Sequence, residues 1–285
     1  MTFQQKVRDW FMKLIVCSKK DVASQNIKEA LLSMKSFERE RKEGYDFYLS
    51  GNLGIVDVDE RLIYADRIDE RLKRLIDFDE ILFASRHSSK DGRKIVTTHC
   101  TGNVGRADYG GKPYSLAKPS PLTMKNFSLS VSEKIAGTDF EFTLEATHHG
   151  PSEISTPSAF YEIGSTEREW RNSDVAWIVA ESMIEALNMN SDWKVAVGVG
   201  GTHYIPRQTE IELTTIFAFA HNFPKYTFDD LSESFLINAI QFSEAEVLVM
   251  DEKSVNSRVK SMLREISEKI GLELLRSKEA KNQRI

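Results

Sequence analysis

Histidine is the residue type whose placement in this sequence carries the most chemical information. Each of the six histidines lies at the downstream end of an apolar, strand-like run: His87, His99, His148, His149, His203 and His221. In an α/β sheet, the carboxyl ends of the strands form the crevice where ligands bind. Imidazole is a common general acid or base near neutral pH and a common zinc ligand. The pattern therefore predicts one histidine-rich site at these strand ends.

The adjacent pair His148 and His149 is the strongest signal. Neighbouring side chains on extended backbone point to opposite faces, so one histidine can bind a metal or substrate while the other contacts a second ion or a carboxylate. Catalytic zinc keeps three protein ligands and one open position. We predict zinc bound by His99, by His203 and by one histidine of the pair, with His148 preferred.

Carboxylates near such a site serve as general base or fix the tautomer of a histidine. Glu145 precedes the histidine pair, and Glu162 lies near the end of the next predicted strand. We take Glu145, Glu162, His149 and His221 as the candidates for catalytic proton transfer. An exposed salt bridge is the alternative role for each carboxylate.

Two other catalytic patterns do not occur in the sequence. A serine nucleophile would call for a G-x-S-x-G elbow and a zinc protease for an H-E-x-x-H helix; neither is present. Water is therefore the expected nucleophile. The run from Gly198 to His203 also lacks the spacing of a dinucleotide or phosphate loop. We expect Gly200, Gly201 and Thr202 to let the substrate approach closely, with the two glycine N–H groups facing an oxyanion.

Composition limits the class of protein. Over 285 residues, 41% are hydrophobic, 28% are charged and the net charge is −5, which is typical of an ordinary globular protein and argues against a generic nucleic-acid binder. Two cysteines, Cys17 and Cys100, are too few for a disulfide framework; Cys100 adjoins His99, which leaves open a role as ligand or nucleophile. No apolar stretch suits a membrane span or a secretory signal, so we expect a cytoplasmic protein that does not bind membranes.

One segment is locally basic. Against Asp91 and Asp108, the stretch from residue 86 to 125 carries the cations Arg86, Lys90, Arg93, Lys94, Arg106, Lys112, Lys118 and Lys125. This is either a solvated loop or a strip that contacts phosphates. We predict that Arg86, Lys112 and Lys118 contact phosphates and that His87, at the start of the strip, binds substrate.

The elements that must position these residues alternate between strand and helix. This favours one α/β domain over residues 12–285, with a mostly parallel sheet covered by helices on both faces, and residues 1–11 as a possible N-terminal extension. Periodic apolar residues predict helices at 172–188 and 254–270. We further predict an exposed connection at 34–44, a short strand at 62–65 and an irregular loop at 102–121.

Five motifs, in this order, resemble the archaeal and plant D-aminoacyl-tRNA deacylase family. They are Ser85-Arg86-His87-Ser88-Ser89, Thr98-His99-Cys100-Thr101-Gly102-Asn103, Glu145-Ala146-Thr147-His148-His149-Gly150-Pro151, Glu162-Ile163-Gly164-Ser165-Thr166-Glu167 and Gly200-Gly201-Thr202-His203-Tyr204. The resemblance implies a zinc-dependent hydrolase that cuts the ester joining a D-amino acid to the terminal ribose of tRNA. It also implies a fold similar to peptidyl-tRNA hydrolase and phosphorylase-like folds.

The expected partner is the acceptor end of a D-aminoacyl-tRNA, bound by a monomer. Two alternatives stay open. One is a peptidyl-tRNA hydrolase, zinc-dependent aminopeptidase or amidohydrolase on a related scaffold. The other is a non-catalytic RNA-binding protein with structural histidines, which predicts no metal and a steep salt dependence of tRNA binding.

Overall fold

The computed structural model of the protein describes residues 12–189 and 192–285. The extension predicted at residues 1–11 lies outside the described residues. No helix in the described ranges is long and apolar enough to cross a membrane.

Strands and helices alternate along most of the described chain. The strands are β1 (Lys13–Ser18), β2 (Glu38–Lys42), β3 (Tyr45–Ser50), β4 (Leu53–Val58), β5 (Glu80–Arg86), β6 (Ile95–His99), β7 (Gly102–Asn103), β8 (Ser115–Leu116), β9 (Glu141–Leu144), β10 (Ser158–Gly164), β11 (Lys194–Val199), β12 (Phe217–Phe223), β13 (Val247–Met250) and β14 (Glu273–Arg276). The α-helices are α1 (Val22–Met34), α2 (Ile68–Lys73), α3 (Pro121–Lys134), α4 (Glu167–Trp170), α5 (Ser173–Asn188), α6 (Pro206–Thr214), α7 (Glu233–Ser243), α8 (Ser257–Ile270) and α9 (Ser277–Ala280). Single 3-10 turns occupy Leu62–Tyr64 and Lys225–Thr227.

The main sheet has the strand order β2-β3-β4-β1-β5-β10-β6-β9. Its centre, β4-β1-β5-β10, is parallel. The edge strands β2 and β3 are antiparallel, and β6 and β9 run together against the direction of β10. A second sheet, β12-β11-β13-β14, is parallel throughout. The prediction of a mixed α/β fold with a mostly parallel sheet is confirmed.

Both faces of the main sheet are apolar because its central strands are covered on both sides. Along β1, Leu14 and Val16 join the core on one face, whereas Ile15 and Cys17 join the core on the other, as the two-residue period of a strand requires. Helices α1, α3 and α5 cover the Ile15 face. Helix α2 covers the Leu14 face.

Two helices predicted from their periodic apolar residues, α5 and α8, are confirmed, and their ends have clear local causes. The side chains of Asn172 and Asn256 accept N–H groups of the first turns of α5 and α8, which satisfies donors that the helix itself leaves free. Helix α8 ends at Gly271, whose φ is 68°, the left-handed conformation that glycine adopts without a steric penalty.

Two sequence predictions about local structure are wrong. The charged segment 34–44, predicted as a connection, contains β2, which pairs with β3 at the edge of the sheet; charged side chains suit an exposed edge. The strand predicted at 62–65 is a 3-10 turn, in which the N–H groups of Tyr64 and Ala65 donate to the carbonyls of Arg61 and Leu62. The irregular loop predicted at 102–121 holds the short antiparallel pair β7 and β8.

The segment after β9 joins the two sheets. The N–H of Ala146 donates to the carbonyl of His203 at 2.9 Å, and the N–H of Thr147 donates to the carbonyl of Asn222 at 2.9 Å. His203 follows β11, and Asn222 lies in β12. Residues carried by both sheets are therefore brought next to the histidine pair that follows Thr147.

Asp69, in the first turn of α2, binds the segment at Ser155 and Thr156, which follows the histidine pair His148 and His149. One oxygen of its buried carboxylate, Oδ2, accepts from the N–H and hydroxyl of Ser155 at 2.9 and 2.8 Å, and from the N–H and hydroxyl of Thr156 at 3.1 Å each. We expect Asp69→Ala to lower the free energy of unfolding by about 2–3 kcal/mol, because the buried donors of Thr156 lose a charged acceptor.

Urea unfolding followed by circular dichroism measures this effect. Asp59→Ala is the matched control, since Asp59 is exposed and pairs with Lys19 at 3.1 Å; it is expected to change stability by less than about 0.5 kcal/mol. Equal losses for the two variants would contradict an anchoring role for Asp69.

Candidate active site

Five of the histidines and two carboxylates come together over one face of the main sheet. His87 directly follows β5, His99 ends β6, Glu162 lies in β10, and His203 follows β11. The segment after β9 contributes Glu145, His148 and His149. The cluster thus draws on strands that are far apart in the sequence, as predicted.

The position of the cluster differs from a simple carboxyl-end crevice. Strand β6 runs opposite to β10, and His99 pairs in register with Phe160 rather than with the end of β10. The rings of His99 and Phe160 stack with centroids 5.5 Å apart. Glu162, two residues after Phe160, shares this face of β10. The histidines at these strand ends therefore meet at one site, but β6 reaches it from the direction opposite to that of β10.

His148 lies at the centre of the histidine cluster. Its ring centroid is 4.3 Å from His99, 4.3 Å from His149 and 4.5 Å from His203. His149 has a φ of 42°, a left-handed conformation that is uncommon for a non-glycine residue and that concentrates at functional sites. This backbone bend lets both adjacent rings turn toward His99.

Glu145 is the buried acid around which the imidazoles gather. Its Oε2 lies 2.8 Å from Nε2 of His203 and 3.5 Å from Nε2 of His148, and its Oε1 lies 2.9 Å from Nδ1 of His87. Burial opposes ionisation, but the contacts with His203 and His87 outweigh it and hold the pKa of Glu145 well below its usual value. Glu145 is therefore a carboxylate at neutral pH.

The other titratable groups divide into two kinds. Burial would lower the pKa of His87, but contacts with Glu145 and Glu162 raise it to about 11; the same kind of contact, against burial, lowers the pKa of Glu162 to about 2. Burial and the neighbouring charge of His99 lower the pKa of His149 to about 4, and the pKa of His148 falls well below its usual value for the same reasons. At pH 7, His87 is cationic and the adjacent pair is neutral.

The hydrogen bonds of three histidines fit a metal site. Nδ1 of His148 lies 2.7 Å from the carbonyl of Ala146, and Nδ1 of His149 lies 2.6 Å from the carbonyl of Gly150. Nδ1 of His99 lies 3.3 Å from the carbonyl of Cys100. A carbonyl only accepts, so Nδ1 carries a proton in each ring. In the neutral rings of His148 and His149, Nε2 then keeps a lone pair, which is how metal-binding histidines are usually oriented.

Three buried polar atoms of the histidine cluster lack hydrogen-bond partners among the described residues. Nε2 of His99 and both carboxylate oxygens of Glu145 are buried and make no hydrogen bond of proper geometry within the part of the chain that the structure describes. Three overlapping groups could each hold an ion: His99 with His148 and His149; Glu145 with His148 and His203; and His87 with Glu145 and Glu162. Imidazole and carboxylate are zinc ligands, so these donors fit the predicted ion.

The predicted ligands do not all fall into one group. His148 belongs to the first two groups, but His99 and His203 belong to different ones. Glu145, which the sequence suggested for proton transfer, stands beside His148 and His203 as a potential ligand. The strand-end pattern named the candidate ligands but could not sort them into these groups.

His221 is the histidine that the structure leaves outside the cluster. It lies within β12, not at its end, and is fully buried. Its Nδ1 lies 3.1 Å from the hydroxyl of Thr147, and its Nε2 lies 3.1 Å from the carbonyl of Ala117. Burial lowers its pKa to about 4. These bonds are those of a structural histidine that supports the segment before His148.

The N–H groups of the glycine pair before His203 already donate hydrogen bonds within the protein. The N–H of Gly200 donates to the carbonyl of Phe223 at 2.8 Å, and the N–H of Gly201 donates to the hydroxyl of Ser254 at 2.7 Å. Neither N–H is free to face an oxyanion, so that part of the prediction is wrong. The hydroxyl of Thr202 donates to the carbonyl of Tyr204 at 2.7 Å. This turn brings His203 to Glu145.

Sequence reasoning missed the residues that hold His87. Nε2 of His87 lies 2.8 Å from the hydroxyl of Tyr204, and the indole of Trp170 donates to the carbonyl of His87 at 2.8 Å. Arg86 lies over the ring of Trp170, 4.9 Å from its centroid. The motif Gly-Gly-Thr-His-Tyr contains Tyr204, but only the fold reveals its partner.

Asp66 is a second residue that the sequence did not signal. Its carboxylate accepts from the N–H groups of Ser152 and Glu153 at 2.8 and 3.0 Å and from that of Gly111 at 3.1 Å. These hydrogen bonds connect the turn after His149 with Gly111 in the loop between β7 and β8. A Cβ placed on Gly150 would lie 2.3 Å from the backbone nitrogen of Gly111, so the two segments are in direct backbone contact.

The predicted basic strip is largely neutralised within the fold. Lys112 pairs with Glu153 at 2.6 Å, and Lys118 pairs with Glu244 at 2.5 Å. Lys125 is fully buried and donates to the carbonyl of Thr215 at 2.8 Å. Counting charges along the chain therefore overestimated the positive surface.

Gly164 controls how closely His87 approaches β10. A Cβ at this position would lie 2.7 Å from both Cβ and Cδ2 of His87. We expect Gly164→Ala to displace His87 from Glu145 and Glu162 and to lower kcat by about 10- to 100-fold, since small displacements of positioning groups have effects of this size.

Steady-state ester hydrolysis, together with thermal melting to confirm folding, measures the effect. Gly137→Ala is the control. A Cβ there has no neighbour within 4 Å, and although its φ of 89° strains an alanine and lowers the melting temperature, kcat should stay unchanged. An unchanged kcat in Gly164→Ala would show that the contact between His87 and the two carboxylates is dispensable.

Comparison with known proteins supports the resemblance seen in the motifs. The family model described as D-aminoacyl-tRNA deacylase matches residues 75–275. A D-aminoacyl-tRNA deacylase of Archaeoglobus fulgidus is 60% identical over 272 residues, covering 95% of this chain and 98% of that protein. A D-aminoacyl-tRNA deacylase of Thermococcus kodakarensis is 42% identical over 275 residues, covering 93% of this chain and 100% of that protein.

A solved structure confirms the fold. The crystal structure of a conserved protein of unknown function superposes with a TM-score of 0.95 at 59% sequence identity, and the match covers 97% of this chain and 99% of that one. The two sheets and the arrangement of their strands are therefore those of an experimentally observed α/β fold.

Proposed function

The chain belongs to the D-aminoacyl-tRNA deacylase family, whose reaction is hydrolysis of D-aminoacyl-tRNA, and we propose that Glu145, His148 and His203 hold a zinc ion at the centre of this reaction. The observation that carries the proposal is the convergence of these three side chains where the cluster meets the surface. The side chains of His203 and His148 are 38% and 24% exposed, whereas Glu145 is buried. Two histidines and one carboxylate leave a fourth position for water or substrate, as catalytic zinc requires.

When bound, zinc supplies Lewis-acid polarisation of the ester carbonyl. The surrounding residues keep its ligands in place. Cationic His87 lies 2.9 Å from Oε1 of Glu145, which leaves Oε2 directed toward His148 and His203. Glu162 lies 3.7 Å from Nδ1 of His87 and 3.8 Å from Nε2 of His99, so it balances the charge of His87 and orients His99.

We assign proton transfer to Nε2 of His149. Its Nδ1 proton is directed to the carbonyl of Gly150, and its lowered pKa keeps the ring neutral at pH 7. A neutral imidazole accepts a proton from the attacking water and returns it to the departing ribose oxygen. Glu145 becomes a ligand in this proposal, and His221 has no part in the chemistry.

The substrate side is proposed from position. The turn formed by Gly200, Gly201 and Thr202 lies beside His203, where the aminoacyl ester must approach. Arg86 and His87 lie at the end of β5. Phosphate contacts of Arg86, Lys112 and Lys118 stay predictions; the two lysines would have to exchange Glu153 and Glu244 for phosphate.

We expect His148→Ala and His203→Ala to lose bound zinc and to lower the rate of D-Tyr-tRNA deacylation by at least about 100-fold, because each removes a ligand. Elemental analysis and deacylation kinetics on the same preparations measure both effects. His221→Gln is the control and should retain zinc. Unchanged zinc content and activity in the two alanine variants would overturn the ligand assignment.

We expect a chelator to abolish hydrolysis of D-Tyr-tRNA by the unmodified protein, and zinc to restore it, because the carbonyl loses its Lewis acid. L-Tyr-tRNA and N-blocked peptidyl-tRNA, assayed in parallel, should survive under all conditions. Deacylation that persists in metal-free protein would contradict the zinc proposal without affecting the family assignment. Cleavage of the peptidyl-tRNA would favour the related hydrolases instead.

A further inference from the structure

Three exposed tyrosines, Tyr64, Tyr109 and Tyr226, flank the opening of the candidate active site, and we propose that they stack the unpaired nucleotides at the 3′ end of the tRNA substrate. The inference rests on the tRNA substrate of the family and adds how its end is gripped. The exposed fractions are 53% for Tyr64, 68% for Tyr109 and 56% for Tyr226. Large aromatic side chains left exposed beside one cleft mark a binding surface rather than a core.

Tyr64 and Tyr109 lie on the His149 side of the opening. The carbonyl of Tyr109 accepts the N–H of Gly150, the residue after His149, at 3.0 Å. The ring of Tyr64 lies against Gly110, since a Cβ placed there would come within 3.1 Å of Cδ1 of Tyr64. Both tyrosines therefore lie next to the turn that carries His149.

Tyr226 lies on the opposite, His203 side. The N–H of Lys225 donates to the carbonyl of Gly201, two residues before His203, at 3.0 Å. The side chain of Tyr226 is largely exposed, so its ring is open to solvent next to the turn that carries His203.

Each side of the opening also carries a cation that forms no ion pair with the described residues. The guanidinium of Arg61 lies 5.8 Å from the ring centroid of Tyr64, and Lys225 directly precedes Tyr226. Neither cation forms an ion pair with any residue in the ranges 12–189 and 192–285, in contrast to Lys112 and Lys118. Aromatic rings for bases next to cations for phosphates are the combination by which proteins hold single-stranded nucleic acid.

The occupant follows from the position of the scissile ester. This ester lies on the terminal ribose of tRNA, so the last bases must pass the opening whenever the ester reaches His148 and His203. Those bases are unpaired, and single-stranded RNA is recognised by stacking on aromatic side chains. The net charge of −5 leaves little general attraction for a duplex, so local stacking has to supply the grip.

Substitution of each tyrosine tests the proposal. We expect Tyr64→Ala, Tyr109→Ala and Tyr226→Ala each to raise KM for D-Tyr-tRNA by about 5- to 100-fold, the range that corresponds to one lost stacking contact. The kcat should change little, because the rings do not touch the ester. Phenylalanine at the same positions should retain the parental KM, since it keeps the stacking face.

A binding measurement separates this inference from the proposed chemistry. Uncharged tRNA that carries 2-aminopurine in place of its terminal adenine loses fluorescence when that base stacks, and this requires neither zinc nor hydrolysis. We expect strong quenching by the unmodified protein and by the phenylalanine variants, and reduced quenching by the alanine variants. Trp177→Ala is the control. Trp177 is an exposed aromatic residue of α5 (45% exposed), and α5 packs against α1 and α3 rather than against the turns that carry His149 and His203.

The outcomes are distinct. Unchanged KM and quenching in all three alanine variants would overturn the inference while leaving deacylation by the parent protein intact. Phenylalanine variants as weak as the alanine variants would also overturn it, since the hydroxyl groups would then be the contact. Quenching by a parent protein that lacks deacylase activity would overturn the proposed function and leave the inference standing.

Discussion

The structure of the site depends on keeping one buried carboxylate ionised. Burial of a charge without a partner is expensive. Among residues 12–189 and 192–285, Glu145 pairs with no lysine or arginine; its partners are the imidazoles of His87, His148 and His203. These three arrive from β5, from the segment after β9 and from the second sheet. The fold must therefore hold its two sheets in a fixed relation, and the backbone bonds from Ala146 and Thr147 to the second sheet do so.

Periodicity in the sequence was enough to predict the elements that pack by local pattern. The four-residue repeat of Val175, Val179 and Met183 gave α5, and the apolar run from Ile81 to Ala84 gave β5, because burial on a helix or strand leaves a signature within a few residues. The segment 62–65 has too few residues for such a signature, and it forms a turn. The direction of β6 left no local trace either, since strand pairing is decided between residues far apart in the chain.

Residue type predicted the members of the site better than their roles. His221 follows an apolar run like the other histidines, yet β12 continues to Phe223, so its ring is enclosed and cannot reach the cluster. Lys112 and Lys118 meet their acids 41 and 126 residues further along the chain, which a count of neighbouring charges cannot reveal. Asp66 and Tyr204 act through partners equally distant in sequence, and only the fold brings those partners together.

The backbone contact between Gly110 and Gly150 limits how these loops can evolve. A Cβ on Gly110 would lie 1.8 Å from the carbonyl oxygen of Ile63, and a Cβ on Gly150 would meet Gly111, Gly110 and the same oxygen within 2.6 Å. No larger residue fits at either position without moving the other loop. The turn at Ile63, the loop at Gly110 and Gly111, and the turn at Gly150 are far apart in the sequence. A change of backbone in one of them therefore requires matching changes in the other two.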